Sequence, residues 1–473
     1  MKLPVPALPT LLLVMLPLDA RAATLDGAAM KWPFALPFAG LLLSIALGPL
    51  LFPKLWHAHY GKIAAAWSVA TLASIAWLAG GQAMLMALAH AMLGEYLSFI
   101  VLLFALYTVA GGILISGDIR GTPRNNAAIL ALGTVMASIV GTTGAAMILI
   151  RPLIRANVSR RHNVHVMVFF IILVANVGGA LSPLGDPPLF IGFLNGVDFF
   201  WTTRNLWIQT GIVAGLLLAM FVALDVWRFR SEPAGSRVEP PQPLRIRGLV
   251  NVALIAAIIG CVLVSANWRP GLALDILGTR LELQNLVRDG LLVVIALLSL
   301  WWTRDEHREA NGFSWEPIRE VAKLFAGIFI VIIPVLAVLD AGPKGFFAWL
   351  LSAVTERDGT PHEVAYFWYT GLMSAFLDNA PTYLLFFKLA GGDARELMGA
   401  LSGTLAAISM GAVYMGALTY IGNAPNFMVA AIAAQSGIRM PSFFGYLLWA
   451  AAILVPLFLL LTFLPVAPVL RLQ

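Results

Sequence analysis

The sequence predicts an all-α polytopic membrane protein built from two inverted repeats, each with a re-entrant hairpin and an unwound, broken transmembrane helix. Three observations carry this expectation: the density of apolar residues, the distribution of Lys and Arg, and one internal repeat. Of 473 residues, 60% are hydrophobic and only 11% are charged, against about 25% charged in an ordinary soluble domain. Mean hydropathy is +0.86. Apolar runs of the roughly 20 residues needed to cross about 30 Å of hydrocarbon recur along the whole length. The single cysteine, Cys261, lies inside one of them. It excludes an intrachain disulfide framework, and no Cys/His metal motif is present. The net charge of +6 comes from Arg and Lys in loops, so it reads as membrane orientation and not as nucleic-acid binding.

Candidate spans fall at 34–52, 63–80, 97–116 and 206–227, and again at 249–265, 289–302, 322–340 and 445–465. Each set is completed by a hairpin, at 126–150 and 364–390, and by a broken helix, at 164–195 and 401–434. Between the sets, 228–247 (RFRSEPAGSRVEPPQPLRIR) is rich in Pro and Arg and reads as a cytoplasmic linker. The chain thus divides into a first repeat, 23–227, and a second, 248–473. At the start, 1–22 carries one Lys, a Leu-rich stretch and Ala20-Arg21-Ala22, the pattern of a cleavable signal peptide. With the N-terminus outside and each hairpin returning to its own side, the inner loops hold 18 Lys and Arg and the outer loops 7. That bias obeys the positive-inside rule and predicts a multi-pass protein of the bacterial inner membrane.

The internal repeat points to a site. GALSPLGDPPLFI (179–191) lies over GALTYIGNAPNFM (416–428), which matches Gly-Ala-Leu, Ser182 with Thr419, Gly185 with Gly422, Asp186 with Asn423, and Pro188 with Pro425. Nearly the same offset lays SIVGTTGAA (138–146) over SAFLDNAPT (374–382), with Thr142 and Thr143 opposite Asp378 and Asn379. A single such site reads equally well as a proline kink. Two in the same order and spacing read as transporter half-sites. Proline removes helix donors, glycine opens other backbone conformations, and unwound chain is tolerated in lipid only where it lines a polar cavity or is buried in protein. A carboxylate at mid-membrane costs at least ~2.5–3.5 kcal/mol, which makes Asp186 and Asp378 functional candidates. All-oxygen donors suit a hard cation such as Na⁺. A carboxylate also takes a proton, and holding one or the other is sufficient for exchange. Asn176 lies about one turn before the break, where a packing role is an equal alternative.

Other polar residues carry weaker signals. Lys388 is expected to snorkel to the interface, with pairing to Asp378 as the alternative. His57, His59, His162 and His165 are expected in solvated loops, with a pH-sensing role as the other reading. Glu95, Asp118 and Asp340 fall at span ends. Trp201, Trp207, Trp301 and Trp302 are expected as an aromatic belt. No catalytic nucleophile set is evident, so an enzyme is not expected.

These residues resemble a known family. NVGGALSPLGD (176–186) resembles the signature of NhaD-type sodium/proton antiporters, members of an ion-transporter superfamily that also holds citrate, dicarboxylate and arsenite carriers. GTTGAAMILIRP (141–152) resembles the first hairpin of the citrate-transporter (CitMHS-like) branch. The resemblance implies a homodimer, a scaffold part, and a transport part that moves in elevator fashion. It implies a site lined by Thr142, Thr143, Asn176, Ser182, Asp186, Asp378, Asn379, Thr419 and Asn423, with Gly185 at the break. It implies no cofactor beyond Na⁺ and H⁺ as transported or coupling ions, with Asp186 and Asp378 as the Na⁺ candidates. Carboxylate carriers of the superfamily have Ser-Asn-Thr at both hairpin tips, whereas this chain has Gly-Thr-Thr and Asp-Asn-Ala-Pro. Na⁺/H⁺ antiport is therefore the leading expectation. Citrate, dicarboxylate or metal–citrate symport is the alternative, and arsenite-type oxyanion efflux a third reading.

Overall fold

The computed structural model describes residues 25–232 and 243–463. The expected signal segment and linker residues 233–242 lie outside the described residues. Within them the chain is mostly helical. Eight helical stretches are long and apolar enough to cross a membrane, and the protein is a multi-pass membrane protein.

The first half opens with α1 (Leu36–Leu51), α2 (Pro53–Ala89) and α3 (Leu97–Ala110). Pro53 starts α2, at the position where its missing N–H costs nothing. Segment 81–96, expected as an outer loop, is helical instead: Gly80 bends the chain at φ 86 and a π-turn, His90–Tyr96, leads into α3. The stretch contains no proline, so nothing in it stops a helix. Next come α4 (Pro123–Val140), α5 (Thr142–Asn157) and α6 (Val164–Leu173). Thr122 caps α4 by accepting the Asn125 N–H at 3.3 Å. A short 3-10 turn, Val177–Leu181, separates α6 from α7 (Pro187–Leu194), and α8 (Trp201–Phe229) closes the half.

The second half also holds a helix pair and a 3-10 break but is cut into more helices. It runs through α9 (Val250–Asn267), α10 (Leu283–Trp302), the short α11 (Asp305–Ala310), α12 (Glu316–Val331) and α13 (Ile333–Asp340). The short α14 (Ala348–Ala353) precedes a helix pair, α15 (Glu363–Leu377) and α16 (Asn379–Leu389). Then come α17 (Ala394–Met398), α18 (Ser402–Met415), a 3-10 turn at Gly416–Leu418, α19 (Ala424–Gln435) and α20 (Phe443–Phe463). Two small antiparallel pairs decorate the loops. Strand β1 (Leu114–Ser116) pairs with β2 (Arg245–Arg247), and β3 (Ala273–Ile276) with β4 (Thr279–Glu282).

The matching of the hairpin tips needs a correction of one residue. α4 and α5 meet at Gly141 (φ 82), and α15 and α16 meet at Asp378 (φ 75). Gly141 is thus the counterpart of Asp378, and Thr142 that of Asn379. Side-chain bonds fix the same register: Ser182 donates to the Ser138 carbonyl and Thr419 to the Ala375 carbonyl, 44 residues apart in each case. The Ser138–Ser374 identity had suggested the shifted alignment, but the backbone reversal decides the pairing.

Burial is graded by depth in the bundle. α6 is enclosed along nearly its whole length, while α2, α8 and α20 turn large apolar side chains outward, among them Trp77, Trp207 and Leu448. Outward Leu, Phe and Trp are unfavourable in water and expected against lipid. Trp301 and Trp302 are exposed as a belt would require, but Trp201 is buried at the start of α8. His165 departs further from expectation. It is 3% exposed, and its Nε2 lies 2.8 Å from Asp225 Oδ1. The same oxygen accepts from Arg160 at 2.6 Å, and the other from Asn126 at 3.0 Å. Asp225 comes from α8, so the partner that draws the imidazole inside is remote in sequence.

Candidate functional site

Asp186 sits just before α7 with an extended backbone (φ −142, ψ 143), and Pro187 begins the helix behind it. Its side chain is buried, 1% exposed. Oδ1 accepts from Thr142 Oγ1 at 2.9 Å and from Asn423 Nδ2 at 2.9 Å, and Oδ2 accepts from Asn379 Nδ2 at 2.5 Å. Thr142 is the first residue of α5, Asn379 the first of α16, and Asn423 directly precedes α19. Four helix N-termini therefore converge on one carboxylate, an orientation that favours negative charge. All three donors are neutral. Among the described residues no Lys, Arg or His donates to Asp186. Asn379 is itself fully buried, and its Oδ1 has no hydrogen-bond partner among the described residues.

Two glycines let the unwound segments close. A Cβ on Gly185 would stand 2.2 Å from the Gly179 carbonyl oxygen, and one on Gly422 would stand 2.5 Å from that of Gly416. Gly185 also accepts the Thr142 N–H at 2.8 Å, which joins the first tip to the first break. Ser182 and Thr419 commit their hydroxyls to the carbonyls of Ser138 and Ala375. They clamp each break to the entry arm of its hairpin and do not touch Asp186. Thr143 is half-buried and lines a small cavity of ≈ 70 Å³ with Gly141, Pro183 and Asp186.

Asp378 takes another position. Its Oδ1 accepts the Ala380 N–H at 3.2 Å, so the side chain caps α16. It lines a larger cavity of ≈ 400 Å³ together with Asn423, Tyr107, Arg151, His57 and Glu320. Lys388 lies elsewhere, in a third cavity beside Asp340. The structure therefore gathers Thr142, Asn379 and Asn423 around Asp186, sets Asp378 on the adjoining cavity, and holds Ser182 and Thr419 behind.

Asn176 connects to this group from α6's end. Its Oδ1 accepts from Asn423 Nδ2 at 3.3 Å, and its Nδ2 donates to Asn426 Oδ1 at 2.7 Å. Asn426 was not singled out from the sequence. The available signal was a second amide, three residues after Asn423, in an otherwise apolar helix.

A bundle of membrane-length helices that buries a polar site between two broken helices defines a membrane transporter. The comparisons agree. The chain belongs to the family described as "Putative citrate transport", whose model matches residues 27–466. Two proteins named as uncharacterized transporters, from Mycobacterium tuberculosis and Mycobacterium bovis, are each 26% identical over 336 residues, which is 67% of this chain and 71% of theirs.

Proposed function

We propose that this transporter exchanges Na⁺ for H⁺ across the bacterial inner membrane, with Asp186 as the exchanging carboxylate. The observation that carries the reading is the burial of Asp186 among neutral donors only. A buried charge without a counter-ion is unstable. It is relieved by a proton or by a bound cation, and one group cannot hold both. The orphaned Asn379 Oδ1 adds a second hard oxygen beside it, of the kind Na⁺ prefers over soft ligands. Asp378, facing the larger cavity, opposes entry of anions and attracts cations.

In this reading the helix pairs α4–α5 and α15–α16 are re-entrant hairpins, and the two halves are inverted repeats on either side of the linker. Broken helices at a repeat interface, with polar groups at the midplane, are the arrangement of alternating-access carriers. The Lys and Arg bias then puts His57 and Arg151, which line the ≈ 400 Å³ cavity, on the cytoplasmic side. The site is reached from within the cell, and a rigid movement of the half-sites past the scaffold would expose it outside. A homodimer would hold the scaffold fixed.

One observation favours a second reading, carriage of citrate or another carboxylate. Arg151 lines the same cavity, and its one hydrogen bond among the described residues is a long 3.5 Å contact to the Gly312 carbonyl, which leaves guanidinium donors for an anion. Proteoliposomes with an imposed pH gradient separate the two. Antiport requires that Na⁺ or Li⁺ alone collapse the gradient, and that Asp186→Asn abolish the response. Citrate accumulation with no response to Na⁺ alone would sink antiport.

A further inference from the structure

We infer that Asn426 is a positioning residue that helps to fix which face Asn423 turns to Asp186 and so sets the cation affinity of the site. The inference rests on the exchange reading above.

The argument is one of hydrogen-bond parity. Both amide hydrogens of Asn426 are committed to backbone carbonyls, to Gly416 at 2.8 Å and to Thr419 at 2.9 Å. A carbonyl only accepts, so the amide has one allowed orientation, and Oδ1 is what it offers to Asn176. Asn176 must therefore present Nδ2, and does, at 2.7 Å. Its other hydrogen goes to the Ile171 carbonyl at 2.8 Å. That leaves Oδ1 of Asn176 for Asn423, which must answer with Nδ2. The Ala175 carbonyl, 3.0 Å from the same Nδ2, makes the same demand, so the two hydrogens of that amide serve three acceptors and the longest contact, to Asn176, shares one of them. Asn423 Nδ2 is the atom that meets Asp186 Oδ1 at 2.9 Å.

Four backbone carbonyls, of Gly416 and Thr419 in the second half and of Ile171 and Ala175 in the first, thus hold three buried amides so that Asp186 meets a donor. Asn176, Asn423 and Asn426 are each at most 1% exposed, so water cannot reset their orientation. The relay also joins the halves, since Asn176 and Asn426 are 250 residues apart. It has no mirror image: the repeat offset of 237 puts Leu189 opposite Asn426. Without Asn426, Asn176 keeps only the Ile171 carbonyl of the two acceptors that hold its amide, and its Oδ1 is less firmly placed for Asn423. A less firmly held donor leaves the carboxylate less well oriented for a cation.

The test uses purified full-length protein in proteoliposomes, with Na⁺ as the probe. Wild type, Asn426→Leu, Asn176→Leu and the double variant are compared for Na⁺-driven collapse of a pH gradient. Asn426→Leu should raise the KM for Na⁺ about tenfold, as loss of an outer hydrogen-bond partner does at ion sites. Vmax should change less than the KM. The double variant should match the single ones, since both cut one relay. An unchanged KM, or a fall in Vmax alone, would overturn the inference. If Asn426→Leu does not fold, Asn426→Ser removes the amide at smaller volume and takes its place in the same comparison. Wild-type protein inert to Na⁺ would instead reject the exchange reading itself. The relay is then judged by the melting temperature, where non-additivity of the two substitutions supports it and additivity rejects it.

Discussion

Gly141 and Asp378 hold the same backbone shape at the tips of two helix pairs, φ 82, ψ 152 and φ 75, ψ 138. Glycine adopts it freely, but a side chain at such angles carries a strain of about 1–3 kcal/mol. Leu277, in the turn between β3 and β4, is the other non-glycine residue with positive φ among the described residues. Strain that persists at a site is a mark of a side chain needed there. Asp378→Gly should raise stability by about 1 kcal/mol, because the relieved strain exceeds the few tenths lost when glycine replaces an N-cap. It should also weaken Na⁺-driven exchange, because the cavity loses its carboxylate. Melting temperature and proteoliposome flux read the two effects. A variant that is less stable and fully active would refute both halves of the argument.

The close approach within each break gives a second prediction. Gly185→Ala and Gly422→Ala each drive a methyl group into a backbone carbonyl, and backbone cannot rotate out of the way. Each should cost about 1–3 kcal/mol of stability. Exchange should fall further in Gly185→Ala, since Gly185 also holds the Thr142 N–H beside Asp186. Gly290→Ala, where a methyl group meets open space, is the control.

The Asp225 cluster predicts a large stability effect remote from the exchanging carboxylate. Asp225 is fully buried and receives Arg160, His165 and Asn126. Asp225→Ala leaves the Arg160 guanidinium enclosed without this partner, a situation that costs about 3–5 kcal/mol. Asp225→Asn retains the shape and part of the bonding and should cost less. Thermal unfolding in detergent orders the three proteins, and an alanine variant as stable as wild type would show that the cluster is solvated in solution.

Much of this was legible in the sequence. Gly-Asp-Pro-Pro and Gly-Asn-Ala-Pro announce broken helices because proline and glycine act locally, and Asp186 stands out because carboxylates are rare in apolar runs. Thr142, Asn379 and Asn423 followed from the repeat. What stayed hidden depends on contacts far along the chain. His165 looks like a loop histidine until Asp225 arrives from α8. Asn426 is one amide in an apolar helix until Asn176 meets it from the other half. The tip register slipped by one residue because a serine identity is visible in a sequence and a positive φ at an aspartate is not.

Thr142 allows the sharpest separation of hydrogen bonding from packing at the site. Its hydroxyl donates to Asp186 Oδ1 at 2.9 Å, and its side chain is 1% exposed. Thr142→Val retains the volume and removes the donor; Thr142→Ser retains the donor and removes a methyl group. A hydrogen bond to a charged group contributes about 1.5–3 kcal/mol, so valine should weaken Na⁺-driven exchange by roughly tenfold or more at neutral pH. Losing a donor to the carboxylate favours the protonated form, so the deficit should shrink as pH rises and the carboxylate is restored. Serine should remain within a few-fold of wild type across the range. Initial rates of gradient collapse from pH 6 to 9 provide the comparison. A serine variant as impaired as the valine one would make Thr142 a packing residue and leave Asp186 with its two amide donors alone.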